Sequence, residues 1–339
     1  MGRLDGKVAL VTGAGRGIGR GVARALAREG ARVVVNDLGT ALTGEGIDRS
    51  PADQVVRDIQ AAGGQAVSNY GSVADFAQAE AMVAQAVEAF GRIDIVVNVA
   101  GNLRDRMVFN MTEEEWDAVI AVHLKGTFNT CRAASIRFRE QKSGRIINMS
   151  STSAFGAPGQ PNYAAAKSGI LGLTWSCANA LGQYTVTANA ILPSGWTRMI
   201  DSTPRAQQVI NETGKPPSEA GVGTDRDPEN VAPVVVWLAS DAAQHVTGCL
   251  FRAFGYHIGL ASLPKVIKTI RTTTPWTVDR LAAILPKTFG EGLPPAGTQV
   301  GYIHRIVPGG ENLPEDAWVE VAPGVKFWRI DLTPYGELR

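Results

Sequence analysis

The stretch Lys7–Gly19 reads K-V-A-L-V-T-G-A-G-R-G-I-G, and it decides the fold. Lys7–Thr12 is an apolar, β-prone run of strand length. The glycines then allow a tight turn and close backbone approach, and Gly17–Glu29 follows with helical periodicity, stopped by Gly30. Strand, glycine turn and helix in that order form a dinucleotide-binding fingerprint. The free N–H groups and positive dipole end of the helix aim at phosphate.

The same alternation continues outward. Strands are predicted at Arg32–Asn36, Ala66–Asn69, Ile93–Asn98, Arg145–Met149, Val186–Leu192 and Gly248–Phe254. Helical patterns lie between them, at Pro51–Ala62, Ala74–Phe90, about 112–140, Asn162–Gly182 and from Asp227-Pro228-Glu229 to about Ala239. Such alternation calls for a parallel sheet covered on both faces, and right-handed crossovers make it doubly wound. The expected fold is therefore α/β, one dinucleotide-binding catalytic domain over 1–255. Residues 256–339 form a Pro- and Gly-richer C-terminal extension. It carries a short helix near Thr277–Ile284 and a hairpin within Ala317–Leu332. It is expected to dock, make an oligomer contact or cover the active site.

Composition narrows the function. The chain has 339 residues, 45% hydrophobic and 19% charged, with a net charge of +1. Nothing here favours nucleic acid or an anionic membrane as partner. Cys131, Cys177 and Cys249 form no C-x-x-C pair and no disulfide framework, and no metal site is expected. No apolar run reaches the roughly 18 residues of a membrane span, and the first residues lack a signal-peptide core. A cytoplasmic enzyme is the expectation.

Two constellations carry chemistry. Asp37 ends the second strand, 18 residues after Gly19. A carboxylate there accepts from adenosine ribose hydroxyls and repels a 2′-phosphate, which favours NAD; Arg16 is the one basic residue in the turn that argues the other way. Tyr163 and Lys167 lie four apart on a helical pattern, so they share a face. Ser150, thirteen residues before Tyr163, ends a strand. A phenol titrates near 10 in isolation, and a neighbouring ammonium and an oxidised nicotinamide both favour phenolate. Tyr163 is then the base for alcohol oxidation, and Ser150 orients the substrate oxygen, with Ser151 or Ser153 as alternatives.

T-G-A-G-R-G-I-G, N-V-A-G at Asn98–Gly101, the Ser150/Tyr163/Lys167 spacing and N-A-I-L-P-S-G at Asn189–Gly195 together resemble the short-chain dehydrogenase/reductase family over about residues 4–256. The resemblance implies a seven-stranded sheet of order 3-2-1-4-5-6-7, hydride transfer, and a homotetramer or homodimer. It implies that Lys167 holds the nicotinamide ribose and that the backbone after Pro193, through Gly195, meets the nicotinamide. Gly13, Arg16, Gly17, Ile18, Gly19, Leu38, Ser72, Val73, Asn98, Ala100 and Gly101 join Asp37, Tyr163 and Lys167 as cofactor candidates. Two positions depart from the family pattern. Val99 replaces a common asparagine. His123 stands where an asparagine often completes the catalytic set, its place there being partly a backbone kink. Histidine is expected either to add proton exchange of its own or only to pack.

V-V-N-D-L-G at Val34–Gly39, the glycines around Glu45, L-R-D-R at Leu103–Arg106 and V-H-L-K-G at Val122–Gly126 resemble the dehydrogenase part of peroxisomal multifunctional β-oxidation enzymes and bacterial hydroxysteroid and 3-hydroxyacyl-CoA dehydrogenases. This implies a bulky apolar secondary alcohol as substrate. Residues 196–225 are the expected substrate loop, with Trp196, Met199 and Ile200 as an apolar wall. Arg104 and Arg106 either meet a CoA phosphate or sit solvated. A smaller cyclic or aromatic alcohol, and a non-catalytic dinucleotide sensor, stay open as alternatives.

Overall fold

The computed structural model describes residues 2–203, 206–262, 264, 266, 268–290, 319–322 and 325–327. The chain divides into two units, Met1–Ala261 and Ser262–Arg339. In the first, β1 (Val8–Thr12), β2 (Arg32–Asn36), β3 (Ala66–Asn69), β4 (Ile95–Asn98), β5 (Gly144–Met149), β6 (Val186–Ser194), β7 (Leu250–Phe254) and β8 (His257–Ala261) form one sheet. Its order is β3-β2-β1-β4-β5-β6-β7-β8. All neighbours are parallel except β7 and β8, which pair antiparallel.

The helices are α1 (Gly17–Arg28), α2 (Ser50–Ala61), α3 (Phe76–Phe90), α4 (Glu113–Ile120), α5 (Gly126–Gln141), α6 (Pro161–Leu181), α7 (Arg198–Asp201), α8 (Ala206–Thr213), α9 (Pro217–Ala220) and α10 (Ala232–Ala239). The central strands are apolar through consecutive positions, as in Val8-Ala9-Leu10-Val11 and Val33-Val34-Val35, because both faces are covered, and their period of two sorts the residues. Ala9, Val11, Val33, Val35, Ile95 and Val97 enter one core with α1, α2 and α10. Val8, Leu10, Val34 and Val96 enter the other with α3, α5 and α6. The strand order reverses between β1 and β4, and the crevice at the strand carboxyl ends opens there.

Two expectations are corrected. The sheet has eight strands, not seven, and residues 256–261 belong to the first unit rather than to the extension. Gly255, at φ +52°, turns the chain so that His257–Ala261 runs back along β7. As an edge strand it buries none of its residues, so it carries no core signal. The stretch between β4 and β5 is one helical path, Glu113–Gln141, interrupted by a π turn at Ala121–Lys125.

The second unit contains α11 (Val278–Thr288), capped by the Thr277 hydroxyl, and a β9 (Val319–Ala322)/β10 (Val325–Phe327) antiparallel hairpin. No helix among the described residues is long and apolar enough to cross a membrane.

Candidate active site

The glycine turn after β1 is shaped for a ligand that lies against backbone. Gly13 has φ +63°, and a Cβ there would stand 2.7 Å from Ala100 Cα. A Cβ on Gly19 would stand 2.1 Å from the Gly13 carbonyl oxygen. Arg16 is the extended N-cap residue of α1 and supplies no side-chain cap, so the first N–H groups of α1 are left for a ligand. Gly13, Arg16, Gly17, Ile18, Gly19, Asp37, Leu38, Ser72, Val73, Ala100 and Gly101 line one cleft with Ser150, Tyr163, Lys167 and Pro193. This cradle fits the diphosphate and ribose units of a dinucleotide.

Asp37 is fixed by two backbone donors, Gly15 N and Gly39 N, each 2.7 Å from its carboxylate. A Cβ on Gly15 would meet Asp37 Oδ2 at 2.8 Å, so that glycine makes room for the acid. Asn98 and Gly195 lie just outside the cleft lining, beside Val99 and Pro193, which belong to it. Asn98 is buried and donates to Asn148 Oδ1 at 2.9 Å while accepting from Thr130 Oγ1 at 2.6 Å, which locks β4 to β5 and α5. Gly195 lets the end of β6 pass Pro228, whose Cα would be 2.6 Å from a Cβ.

At the far end of the cleft, α6 presents Tyr163 and Lys167. Asn162 sets this helix start. It donates to the carbonyls of Arg104 and Glu115, both at 2.9 Å, and accepts from Tyr163 N at 2.7 Å. The Lys167 ammonium donates to the Met149 carbonyl at 2.7 Å and lies 5.4 Å from the Tyr163 ring centroid. Burial draws the lysine down to about 7. Burial pushes the phenol up to about 12, against the hydrogen-bonding influence of Ser151 and with a smaller push from the Asp105 charge.

Ser150 is buried at the cleft lining, and its hydroxyl donates to the Lys167 carbonyl at 2.8 Å, which ties β5 to α6. Its neighbour Ser151, the N-cap of the turn Thr152–Phe155 and one of the two alternatives to it, lowers the Tyr163 phenol by hydrogen bonding. Ser153 is turned away and donates to Gln160 Oε1 at 3.0 Å. We expect Ser151→Ala to lower kcat/KM about a hundredfold, as loss of one oxygen-orienting donor does. Ser150→Ala should change it less than tenfold. The reverse ranking in steady-state assays would give the role to Ser150.

His123 lies in the π turn, and its ring meets the Tyr163 ring edge-on with centroids 5.0 Å apart. Its Nε2 faces Asn102 N at 3.1 Å and Asn102 O at 2.8 Å, and its Nδ1 has no protein partner. Burial, with the Lys167 charge second, lowers it to about 3. It is neutral near pH 7, so proton exchange through an imidazolium does not fit this site. Gly101 completes the fit, because a Cβ there would lie 2.3 Å from His123 Cε1.

Arg104 and Arg106 are already engaged. Arg104 donates to the Thr43 carbonyl at 2.8 Å and pairs with Glu45 at 3.0 Å; Arg106 pairs with Glu115 at 2.7 Å. Of the expected apolar wall, Met199 lines the cleft, whereas Trp196 and Ile200 do not. The cleft also takes in Thr40, Ala41, Leu42 and Arg198, none of which carries a motif.

Residues 13–255 match the family profile described as enoyl-(acyl carrier protein) reductase. The chain is 42% identical over 296 residues to hydroxyacyl-CoA dehydrogenase ChsB1 of Mycobacterium tuberculosis, covering 84% of this chain and 89% of that protein. It is 43% identical over 318 residues to peroxisomal multifunctional enzyme type 2 of Mus musculus, covering 90% of this chain and 40% of that one. It is 42% identical over 257 residues to the peroxisomal hydratase-dehydrogenase-epimerase of Neurospora crassa, covering 76% of this chain and 27% of that one. The chain thus spans less than half the length of these two multifunctional relatives. A crystal structure of a short chain dehydrogenase from Mycobacterium avium superposes with a TM-score of 0.73 at 43% identity, over 87% of this chain and 98% of that one. With a doubly wound sheet, a glycine cradle and a Tyr163–Lys167 pair at its crevice, this chain belongs to the short-chain dehydrogenase/reductase family of nicotinamide dinucleotide-dependent oxidoreductases.

Proposed function

We propose that the protein oxidises the secondary alcohol of a 3-hydroxyacyl-CoA to the ketone with NAD. One observation carries the chemistry: Tyr163 and Lys167 line the same cleft as the glycine cradle, and hydrogen bonding from Ser151 lowers the Tyr163 phenol. The dinucleotide, when bound, accepts the hydride and brings positive charge beside the phenol. Ser151 donates to the substrate oxygen and orients it. Tyr163 takes the hydroxyl proton. Lys167 holds positive charge near the phenolate and presents donors to ribose. Neutral His123 packs against the Tyr163 ring and keeps its approach fixed.

The substrate class rests on the relatives' names and on an apolar margin. The chain at Arg106 donates to the Gly159 carbonyl at 2.8 Å, just ahead of α6, and continues into exposed Met107, Val108 and Phe109. These side chains suit an acyl chain. A hydroxysteroid is the second reading, favoured by one specific observation: Arg104 and Arg106, the basic residues nearest this margin in sequence, are held in ion pairs rather than offered to CoA phosphates. Initial rates on 3-hydroxyacyl-CoAs of increasing chain length, hydroxysteroids and small cyclic alcohols test this. Rates highest on the acyl-CoAs support the proposal; activity confined to small alcohols would sink both bulky readings.

The NAD preference is assigned to the Asp37 carboxylate, whose placement repels a 2′-phosphate. Asp37→Ala should narrow the NAD/NADP ratio of kcat/KM by tenfold or more. An unchanged ratio would remove Asp37 from that role. A homodimer or homotetramer is part of the same proposal, with Phe128 and Ile136 of α5 exposed as apolar contact residues. Three free thiols suit a reducing compartment such as the cytoplasm.

A further inference from the structure

Arg198 is a half-buried cation that lines this cleft. It opens α7, directly after β6 and the Pro193–Gly195 turn, at the start of the proposed substrate loop. Among the described residues it makes no ion pair and no hydrogen bond through its guanidinium. Yet it lines the same cleft as Gly13, Arg16 and Gly17.

Its surroundings say what it awaits. Arg16 lies near enough to repel it, and burial and that repulsion both disfavour its charge. The Asp37 and Asp201 charges favour it, but both carboxylates already accept hydrogen bonds, and Asp48 is held by Arg16. Asp37 accepts from Gly15 N and Gly39 N. Asp48 pairs with Arg16 at 3.6 Å. Asp201 accepts from Ser218 N at 2.9 Å and Ser218 Oγ at 2.6 Å. Two arginines thus face one cleft at the uncapped start of α1, an arrangement that calls for an anion of more than one charge. The loop also touches the glycine turn directly, since the Thr197 methyl would lie 3.2 Å from a Cβ on Gly17. Thr197 then caps α7 by accepting from Met199 N, which sets the direction in which Arg198 leaves the backbone.

We propose that Arg198 binds the diphosphate of the dinucleotide from the substrate-loop side, so that cofactor binding holds the loop and its wall residue Met199 in place. The proposal rests on the dinucleotide reading of the cradle. Arg198 is a binding and positioning residue; it exchanges no proton.

Calorimetric titration of the full chain with NAD+, ADP-ribose, adenosine and CoA tests it, on wild type, Arg198→Ala and Arg198→Lys. Arg198→Ala should weaken NAD+ and ADP-ribose by tenfold or more, and by a similar factor for each, because both carry the diphosphate. Adenosine should be unaffected, and Arg198→Lys should fall between, since it keeps charge but loses the forked donors. Amide exchange at residues 196–203 should slow when ADP-ribose binds wild type and not when it binds Arg198→Ala. Unchanged NAD+ and ADP-ribose affinity overturns the proposal. So does a loss confined to CoA, which would give the cation to the substrate's phosphates. Failure of wild type to bind NAD+ would instead strike the dinucleotide reading. Equal melting temperatures of the three proteins exclude misfolding, and Arg198→Lys keeps the test valid if the alanine variant is unstable.

Discussion

Tyr163→Phe should lower kcat for alcohol oxidation about a thousandfold, within the range attributed to a positioned acid-base group, and leave NAD+ affinity within about threefold. The substitution deletes one oxygen. The ring keeps its edge-on contact with His123 and its place on α6, anchored through Asn162. What is lost is the proton acceptor. Steady-state kinetics and cofactor titration on the same preparation check both halves. Full turnover in the phenylalanine enzyme would mean that another group takes the proton. A matched loss of cofactor affinity would mean that the phenol serves binding instead.

The second large effect is expected from Lys167→Met, which keeps side-chain length and apolar packing and removes only the charge and its donors. Turnover at pH 7 should fall by about a thousandfold or more, and the pH profile should move. With the Lys167 ammonium 5.4 Å from the Tyr163 ring centroid, the two groups are expected to titrate as a pair once cofactor charge is added. In the wild-type site without cofactor, burial places the lysine at about 7 and the phenol at about 12. Between those values the pair holds one proton. That proton can rest on oxygen, leaving both groups neutral, or on nitrogen, giving phenolate beside ammonium. A cation at the mouth of the cleft favours the second arrangement with no net proton uptake. Oxidation therefore rises as pH increases through about 7. Methionine removes the nitrogen, so the phenol must ionise alone, and the rise should move upward by two units or more.

Stability gives an independent readout. The folded lysine, at about 7, lies below its unfolded value of about 10.4, so the unfolded chain binds more protons between these values. Wild-type stability contributed by this group is lowest below pH 7 and recovers as pH rises to about 10; the methionine variant should lack that recovery. Urea midpoints of the two proteins at pH 7 and pH 9.5 measure it. Identical pH slopes would show that the lysine is not desolvated as described.

Much of this was legible in the sequence. The central strands announce themselves because burial on two faces demands apolar residues at consecutive positions, as in Val33-Val34-Val35. The glycine turn is legible because Gly13 and Gly19 fill spaces where a Cβ collides with backbone. Tyr163 and Lys167 follow from helical spacing. The limits have equally local causes. A count of thirteen residues cannot say which way a hydroxyl points; the Ser150 hydroxyl donates to the Lys167 carbonyl, and hydrogen bonding from Ser151 lowers the phenol. Strand β8 was unreadable because an exposed edge needs no pattern. Arg104 and Arg106 looked free because their partners, Glu45 and Glu115, are distant in sequence or on another element. Arg198 carries no motif, and only its place in the cleft marks it.

The most direct measurement is an ultraviolet difference titration of the NAD+-saturated enzyme, wild type minus Tyr163→Phe, followed at the tyrosinate band. One tyrosinate should appear with a midpoint near 7 to 8, and it should be absent from the Lys167→Met enzyme until far higher pH. A wild-type difference that stays flat to pH 10 would contradict the pairing of phenol and ammonium on which catalysis here depends.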